Sequence, residues 1–450
     1  MAMARMEPTV TELTERTAKI RTEPTAPTLT ARTAATPTEP TALTPTAPTA
    51  DPDPCFRNLA ALIGAAQVAD FLDATLGKAA YQTQLPPGLA GELFGWAQLN
   101  AALAVQRLIP PRLRLERGGV DVTRGIFTSR RARRGPPLQD LAPAELMAQL
   151  REGATLIVDS VNEISAPLQK LCAGLSAEFT AACQANMYAC WGTTQGFDVH
   201  WDDHDVFVVQ VEGRKQWALY GPTDLSPTRK GKGAPARQPE GDPEIVVLEA
   251  GDVLYLPRGY WHAAVGLGGP TLHLTIGLTR KTASDMLHWL ADELLTEDWA
   301  RLDLPFEQGD AAVASRLAEL LSTLGRHDAR GLAQRYRRTL EAALPQRPQL
   351  SFPYIGEETV PIGPKARIRL APGPVWLAPS ERGLVLSWCG VEFTLAPELE
   401  PSVRRMLAGA ELSVAEFSAA VPQASASEIQ DLLREMARRG AFIVGGEAGV

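Results

Sequence analysis

Cysteine is scarce in this sequence, and its five copies are far apart. The 450-residue chain contains no Cys-x-x-Cys pair, so neither a zinc knuckle nor a disulfide framework is expected. No apolar run reaches the ~18 residues that a membrane-spanning helix needs, and the N-terminus lacks the hydrophobic segment of a secretory signal. The simplest interpretation is a cytoplasmic protein with reduced thiols and no membrane contact.

Positive charge is not in excess. The chain has 44 Lys and Arg against 52 Asp and Glu, which gives a formal net charge of −8. An acidic surface suits a basic partner better than a nucleic acid, so no direct nucleic-acid binding is expected. Arg130, Arg131, Arg133 and Arg134 form one short basic run. This run indicates a solvated loop, with a contact to RNA or to an acidic protein as the alternative.

The first 54 residues lack what a folded core needs. No glycine and no aromatic residue occurs in the first 50, where Thr, Pro and Ala predominate. Such a segment buries too little apolar area to offset the entropy lost on ordering, so residues 1–54 are predicted to be a disordered tail. The alternative is a start codon assigned too early, since Met3 and Met6 also stand near the beginning.

Histidine is also scarce, but its distribution is uneven. Five of the six histidines lie between His200 and His288, and histidine is the commonest side-chain ligand of transition metals. His200 and Asp202 stand two apart among strand-forming residues, so both side chains project from one face of a strand. His262 follows a short strand and a Pro-Arg-Gly turn, and is the candidate third ligand. Two histidines and one carboxylate on one side of a metal are typical of non-haem Fe(II) oxygenases.

Other polar residues in this region fit different positions. His204 lies four residues along from His200, too far along a strand to share its metal, and is predicted to be a rim residue. His273, on a later predicted strand, is expected to be a packed or supporting histidine instead of a ligand. Alternation puts Lys215 on the same face as Trp217. A lysine there lies either at a sheet edge or buried beside an anion.

The motifs around these residues resemble those of a known family. They run from His-x-Asp through a hairpin ending in Glu-Gly-Arg-Lys-x-Trp to Gly-Asp-x-Leu-Tyr-Leu-Pro-x-Gly-x-Trp-His. With this spacing the sequence is similar to the JmjC/cupin-type ribosomal oxygenases, which are Fe(II)- and 2-oxoglutarate-dependent protein hydroxylases. The resemblance covers Cys55 to the C-terminus and is strongest between Asn186 and Gly277.

The resemblance implies roles for the candidate metal ligands and for the lysine. His200, Asp202 and His262 would hold Fe(II), with 2-oxoglutarate as the co-substrate and O2 as the oxidant. Lys215 would pair with the distal carboxylate of 2-oxoglutarate; a surface lysine is the alternative.

The resemblance also implies how a substrate would be held. Asn186 and Tyr188, two apart just before the metal strand, would bind the substrate side chain. Alternatively, Tyr188 packs inside the barrel and Asn186 ends a helix. Asp198, Asp203 and Asp205 are either ordinary solvated carboxylates or groups that attract a basic peptide.

The predicted fold class is α+β. Residues 55–283 are expected to form the catalytic domain, in which helices precede a double-stranded β-helix, a jelly roll of the JmjC/cupin type. Its predicted elements include a helix at Ala144–Arg151 after Pro143, a buried strand at Thr155–Val158, and an amphipathic segment at Ala166–Ala182 with Leu168, Leu171, Leu175 and Phe179 at helical spacing. Residues 284–364 are predicted to be a helical region with a linker, and the resemblance implies that these helices make a dimer interface; plain domain core is the alternative. Residues 365–450 are predicted to form a winged-helix-like module for protein interaction.

The predicted function is the hydroxylation of a protein side chain by a 2-oxoglutarate-dependent dioxygenase. The expected substrate is a histidine or arginine of a ribosomal protein, and the expected assembly is a homodimer. Two alternatives stay open: a JmjC lysine demethylase that uses the same chemistry, and a non-catalytic cupin scaffold that binds metal. A cupin isomerase or a cofactor-free dioxygenase is disfavoured by Lys215.

Overall fold

The computed structural model describes residues 57–132, 135, 137–227, 237–345, 350–352, 362–371, 373–380 and 383–445. The tail predicted at residues 1–54 and two arginines of the basic run, Arg133 and Arg134, lie outside this part of the chain. Within it, none of the helices has the length and apolarity needed to cross a membrane. Four of the cysteines, Cys172, Cys183, Cys190 and Cys389, are free thiols.

Short helices and strands precede the barrel-like core. The elements are α1 (Arg57–Ile63), α2 (Val68–Asp70), β1 (Tyr81–Gln84), α3 (Leu89–Leu93), α4 (Trp96–Val105), β2 (Leu113–Arg117), β3 (Val120–Asp121), β4 (Phe127–Arg130), β5 (Leu138–Leu141), α5 (Pro143–Arg151), β6 (Thr155–Val158) and α6 (Ala166–Phe179). The helix predicted at Ala144–Arg151 is confirmed and begins one residue earlier, at Pro143, and the strand predicted at Thr155–Val158 is confirmed with the same bounds.

Helix α6 shows how local chemistry sets the start of the core. The Ser165 side chain accepts a hydrogen bond from the backbone N–H of Leu168 and so caps the helix. The predicted leucine stripe of this helix is buried. Thr180 adopts a left-handed conformation, with φ 47°, which stops the helix at Phe179. The first strand of the core therefore begins at Ala182, where the amphipathic pattern had predicted that the helix would continue.

Seven strands complete the core. They are β7 (Ala182–Cys190), β8 (Asp205–Glu212), β9 (Lys215–Pro222), β10 (Glu244–Leu248), β11 (Asp252–Leu256), β12 (Tyr260–Gly266) and β13 (Thr271–Thr279). One sheet has eight strands in the order β1-β11-β8-β13-β7-β6-β2-β3, and a second has three in the order β10-β9-β12. All strand pairs in both sheets are antiparallel. Together with the helices, these sheets confirm the predicted α+β class.

Alternation along β8 separates two apolar clusters. Phe207 and Val209 belong to the main core, whereas Val206 and Val208 pack in a smaller cluster with residues of the three-stranded sheet. On the main-core face the Phe71 ring lies 5.8 Å from that of Phe207, between ring centroids. Burying such an aromatic side chain contributes roughly 1.5–3 kcal/mol. One face of the eight-stranded sheet thus packs in the main core, and its other face packs against the three-stranded sheet.

Helices and two small sheets follow the core. The elements are α7 (Ala283–Glu293), α8 (Asp310–Leu324), α9 (Ala329–Ala343), β14 (Arg367–Leu370), β15 (Val375–Ser380), β16 (Gly383–Trp388), β17 (Val391–Leu395), α10 (Glu400–Leu407), β18 (Leu412–Ser413), α11 (Val414–Ser418), α12 (Ala426–Arg438) and β19 (Phe442–Gly445). The strands pair in the orders β18-β14-β19 and β15-β16-β17. The C-terminal elements share a hydrophobic core of their own, in which Phe417, Leu433 and Phe442 are fully buried. The helices and strands predicted there are present, while the winged-helix and dimer-interface assignments stay predictions.

Candidate metal centre and adjoining cavity

A backbone bridge sets the two predicted histidine ligands side by side. His200 N–H donates to the His262 carbonyl at 3.1 Å, and His262 N–H donates back to the His200 carbonyl at 2.8 Å. The Asp202 carbonyl accepts from Gly259 N–H at 2.8 Å, which ties the turn before His262 to the same segment. One potential ligand atom from each of His200, Asp202 and His262 lies within 4.8 Å of the others. The structure therefore brings the three residues together, although His200 and His262 are 62 positions apart in sequence (262 − 200).

The hydrogen bonds of the two imidazoles leave the Nε2 atom of each ring available to bind a metal. His200 Nδ1 lies 2.8 Å from the Asp198 carbonyl, and His262 Nδ1 lies 2.9 Å from the Tyr260 carbonyl. A carbonyl only accepts, so each Nδ1 carries the proton and each Nε2 keeps its lone pair. His262 Nε2 lies 3.7 Å from Asp202 Oδ2. Two imidazole nitrogens and one carboxylate so arranged fit a divalent transition metal with open coordination positions.

His204 lies at the edge of this centre. Its ring packs over Gly277, where a Cβ atom would come within 2.7 Å of the imidazole. Its Nδ1 lies 3.2 Å from Asp203 Oδ1. His204 lines the same cavity as the metal centre but is not part of the three-residue cluster. This position agrees with its predicted role as a rim residue.

The interpretation of Asp205 as a solvated or substrate-attracting carboxylate is wrong. Its side chain is 1% exposed and forms an ion pair with Arg280. It also accepts a hydrogen bond at 3.0 Å from the backbone N–H of Arg258, in the turn before His262. A buried carboxylate is stable when it is paired and hydrogen-bonded in this way. Asp205 therefore braces the turn, whereas Asp198 and Asp203 are exposed as expected.

A cavity of about 460 Å³ adjoins the metal centre and is lined from both sheets. The eight-stranded sheet contributes Asn186, Tyr188, Cys190, Val206, His273 and Thr275, and the smaller sheet contributes Lys215, Trp217, His262, Ala264 and Gly266. All the residues predicted to bind metal, co-substrate or substrate thus face one space. Its volume is in the range of pockets that hold small organic ligands.

Lys215 is buried in this cavity, with 5% of its surface exposed. Its Nζ lies 3.5 Å from His273 Nδ1. In the part of the chain that the structure describes, no carboxylate forms an ion pair with Lys215, and the one side chain that favours its charge is that of Cys190. Burial accordingly lowers the pKa of the Lys215 ammonium. The predicted alternative of a surface lysine is therefore wrong, and the ammonium is placed to receive an anion that enters the cavity.

Asn186 and Tyr188 lie two residues apart on β7, and both line the cavity. Asn186 is in the middle of the strand, so the alternative that it ends a helix is wrong. Its Oδ1 accepts a hydrogen bond from Ser160 N–H at 2.9 Å. Burial raises the pKa of Tyr188 to about 12, against smaller lowering effects of hydrogen bonds with Thr275 and Asn186. The phenol therefore stays protonated and can act as a hydrogen-bond donor.

His273 and Thr275 also line the cavity, although the sequence did not predict a binding role for either. On β13, His273 pairs with Tyr188 and Thr275 pairs with Asn186 across the β7–β13 ladder. The rings of His273 and Tyr188 are stacked, with centroids 4.9 Å apart and an interplanar angle of 10°. The two-residue spacing of His273 and Thr275 was a usable signal, but only the strand register shows which residues they face.

An ion pair formed by Arg114 also borders the cavity. The guanidinium of Arg114 donates to Asp159 at 2.8 and 3.3 Å and to Glu116 at 3.3 Å. Arg114 also lines the cavity, so part of its positive charge is neutralised before a ligand enters. Nearby, Gly119 has φ +74°, and a Cβ there would come within 2.9 Å of Asp198 Oδ2. Glycine at this turn lets the β2–β3 hairpin lie close to the exposed Asp198.

The fold and the site together define a cupin-type barrel with a two-histidine, one-carboxylate metal centre. Residues 161–286 match the family model of the JmjC domain, a range that includes all three candidate ligands and Lys215. The resemblance to the JmjC ribosomal oxygenases that the motifs indicated is thereby confirmed.

Curated relatives are similar to part of the chain. The bifunctional lysine-specific demethylase and histidyl-hydroxylase NO66 of Dictyostelium discoideum is 36% identical over 138 residues, which is 30% of this chain and 27% of that protein. Ribosomal oxygenase 1 of Gallus gallus is 35% identical over 178 residues, which is 38% of this chain and 30% of that protein. The matched region therefore spans less than a third of the length of these relatives.

Solved structures show a similar fold over a longer range. Escherichia coli YcfD is 17% identical, with a TM-score of 0.53 over 84% of this chain and 98% of that one. Another structure of that ribosomal oxygenase is a complex with cobalt and 2-oxoglutarate, at 16% identity and a TM-score of 0.52. At this identity the likeness supports the fold alone.

Proposed function

We propose that this protein is an Fe(II)- and 2-oxoglutarate-dependent oxygenase that hydroxylates a protein side chain. One observation carries the proposal: the cavity beside the His200, Asp202 and His262 cluster contains a buried lysine that has no carboxylate partner among the residues that the structure describes. The three ligands fit Fe(II), and Lys215 fits the distal carboxylate of 2-oxoglutarate. When bound, Fe(II) and 2-oxoglutarate supply the activation of O2 that inserts oxygen into an unreactive C–H bond, with release of succinate and CO2.

The strand register supports this division of roles. In the β9–β12 ladder His262 pairs with Leu219, and Gly266 pairs with Lys215. The metal ligand and the lysine thus stand four residues apart along these strands (266 − 262), or about 13 Å between backbone positions. A lysine side chain and a short dicarboxylate together bridge such a distance. The small residues Ala264 and Gly266 border the cavity between them.

The polar groups at one end of the cavity suit a substrate side chain that is planar and forms hydrogen bonds. Asn186, Tyr188 and Thr275 present an amide, a protonated phenol and a hydroxyl to the same space. Exposed carboxylates of Asp198 and Asp203 lie beside the metal segment and suit a basic polypeptide. Histidine or arginine of a ribosomal protein is the substrate class that we propose, in line with the names of the relatives.

Lysine demethylation is the second candidate, because the NO66 relatives carry both activities in their names. In that reaction an N-methyl group is hydroxylated and lost as formaldehyde. Mass spectrometry of the modified protein separates the two: hydroxylation adds one oxygen, and demethylation removes one CH2. A metal-binding scaffold without turnover would do neither and would not consume 2-oxoglutarate.

The test starts from ribosomal proteins of a strain that lacks this gene. They are incubated with the purified protein, Fe(II), 2-oxoglutarate and O2, and compared by mass spectrometry with a reaction that contains His262→Ala. A gain of one oxygen on one histidine or arginine, only with the intact protein, is the expected result. No modified protein, together with no succinate formed, would exclude an oxygenase.

We also propose a homodimer that forms through the helical region at residues 284–364. Several apolar side chains are exposed there, namely Leu287, Leu295, Phe306, Leu317 and Leu321, each at least 53% exposed. Large exposed apolar patches mark protein–protein interfaces, so these side chains support this region as the contact between two copies. Replacing Leu287 and Leu321 with glutamate should convert the dimer to a monomer in light scattering. An unchanged mass for this variant would place the interface elsewhere.

A further inference from the structure

His273 lies between the two functional ends of the cavity. Its Nδ1 is 3.5 Å from Lys215 Nζ, and its ring stacks on that of Tyr188. The Trp217 ring meets it edge-on, with centroids 5.5 Å apart. Only 3% of its surface is exposed. It is the residue that contacts both the proposed co-substrate lysine and the proposed substrate tyrosine.

The chemistry of these contacts assigns a role to each part of the side chain. An ammonium group only donates hydrogen bonds, so Nδ1 of a neutral imidazole must accept. Burial, and then the charge of Lys215, lower the pKa of His273 well below its ordinary 6.5, so the ring is neutral. Tyr188 contacts the flat face of the ring instead of its nitrogens. One nitrogen therefore serves the lysine, and the ring plane serves the tyrosine.

The backbone of His273 is well placed to hold a flexible partner. It lies on β13, which is paired with β7 on one side and with β8 on the other. Lys215, by contrast, has four rotatable side-chain bonds and loses much entropy when it is fixed. A rigid acceptor on a central strand reduces the number of positions that the ammonium can take before a ligand arrives.

We propose that His273 is a positioning residue that orients the Lys215 ammonium through Nδ1 and supports the Tyr188 ring by stacking. This inference rests on the proposed function, because it assumes that Lys215 binds the co-substrate and that Tyr188 contacts the substrate. It assigns His273 neither to the metal nor to the reaction itself.

Two substitutions separate the two contacts. His273→Asn retains an acceptor near the position of Nδ1 but removes the ring. His273→Phe retains a flat ring but removes the acceptor. Ile276→Val is the matched control, because Ile276 is a buried residue of the same strand that belongs to the main core and does not line the cavity. This substitution should lower the melting temperature modestly without a change in the cavity wall.

Binding of 2-oxoglutarate is measured by calorimetry on the Zn(II)-loaded proteins, which requires no turnover. His273→Phe should raise the Kd by about five- to tenfold, which corresponds to roughly 1–1.4 kcal/mol, whereas His273→Asn should stay within about twofold of wild type. At saturating 2-oxoglutarate, hydroxylation of the ribosomal-protein mixture should be slowed by His273→Asn more than by His273→Phe. Ile276→Val should lower the melting temperature and leave both quantities unchanged.

The outcomes distinguish this inference from the proposed function. Equal weakening of 2-oxoglutarate binding by the Asn and Phe variants would reduce His273 to a packing residue and overturn the inference. Unchanged constants in both variants would overturn it as well. If the wild-type protein itself failed to bind 2-oxoglutarate, the proposed function would fail, and this inference would fail with it.

Discussion

Replacing Lys215 with methionine keeps most of the side-chain volume and removes the charge. Lys215 is 95% buried (100 − 5), so its proposed pairing with a carboxylate takes place largely out of water. Leaving one charge of a buried pair without its partner costs about 2–5 kcal/mol. That range corresponds to an affinity loss of about 30- to 5,000-fold. We expect the lower part of this range, about 30- to 100-fold for 2-oxoglutarate, because a ligand carboxylate that has lost the ammonium can retain an ordered water in its place.

The assay is a titration of 2-oxoglutarate into the anaerobic Fe(II) protein, followed by the metal-to-ligand absorption band. Fe(II) binding should survive in Lys215→Met because the three ligands are intact. Lys215→Arg should be milder, since the positive charge remains, although the guanidinium is larger. Lys281→Ala, which removes a lysine outside the cavity lining, controls for the change in net charge. Wild-type affinity in Lys215→Met would refute the assignment of the co-substrate site.

Three other predictions follow from the site. His200→Ala and His262→Ala should each abolish turnover and weaken Fe(II) binding in calorimetry, whereas His204→Ala should retain most activity; the opposite pattern would show that the ligands are misassigned. Tyr188→Phe should slow protein hydroxylation far more than it weakens 2-oxoglutarate binding, and equal effects would move Tyr188 into the co-substrate site. Burial lowers the pKa of Lys215 below its ordinary 10.5, and only the protonated form attracts a carboxylate. Affinity for 2-oxoglutarate should therefore fall as the pH rises through this lowered pKa. In Lys215→Arg the loss of affinity should occur at higher pH, because a guanidinium keeps its proton there. The same dependence of affinity on pH in both proteins would contradict the argument.

Local periodicity predicted much of this fold because it depends only on neighbours in the chain. Helix α5 was indicated by a proline at its first position, and strand β6 by a short apolar run. The end of α6 was missed, since its pattern continued past Phe179 while Thr180 took a left-handed conformation. Asp205 was also misjudged, because the cation that neutralises it, Arg280, lies 75 residues further along the chain.

The sequence by itself determined the candidate metal ligands, through the two-residue spacing of His200 and Asp202 and the turn before His262. It also placed Lys215 on one face with Trp217. Only the tertiary structure decided that Lys215 is buried with no carboxylate partner in the described part of the chain, and that His273 contacts both Lys215 and Tyr188. The physical reason is that side-chain direction along a strand is a local property. Which residues then meet across a cavity depends on the register between strands that are distant in the chain.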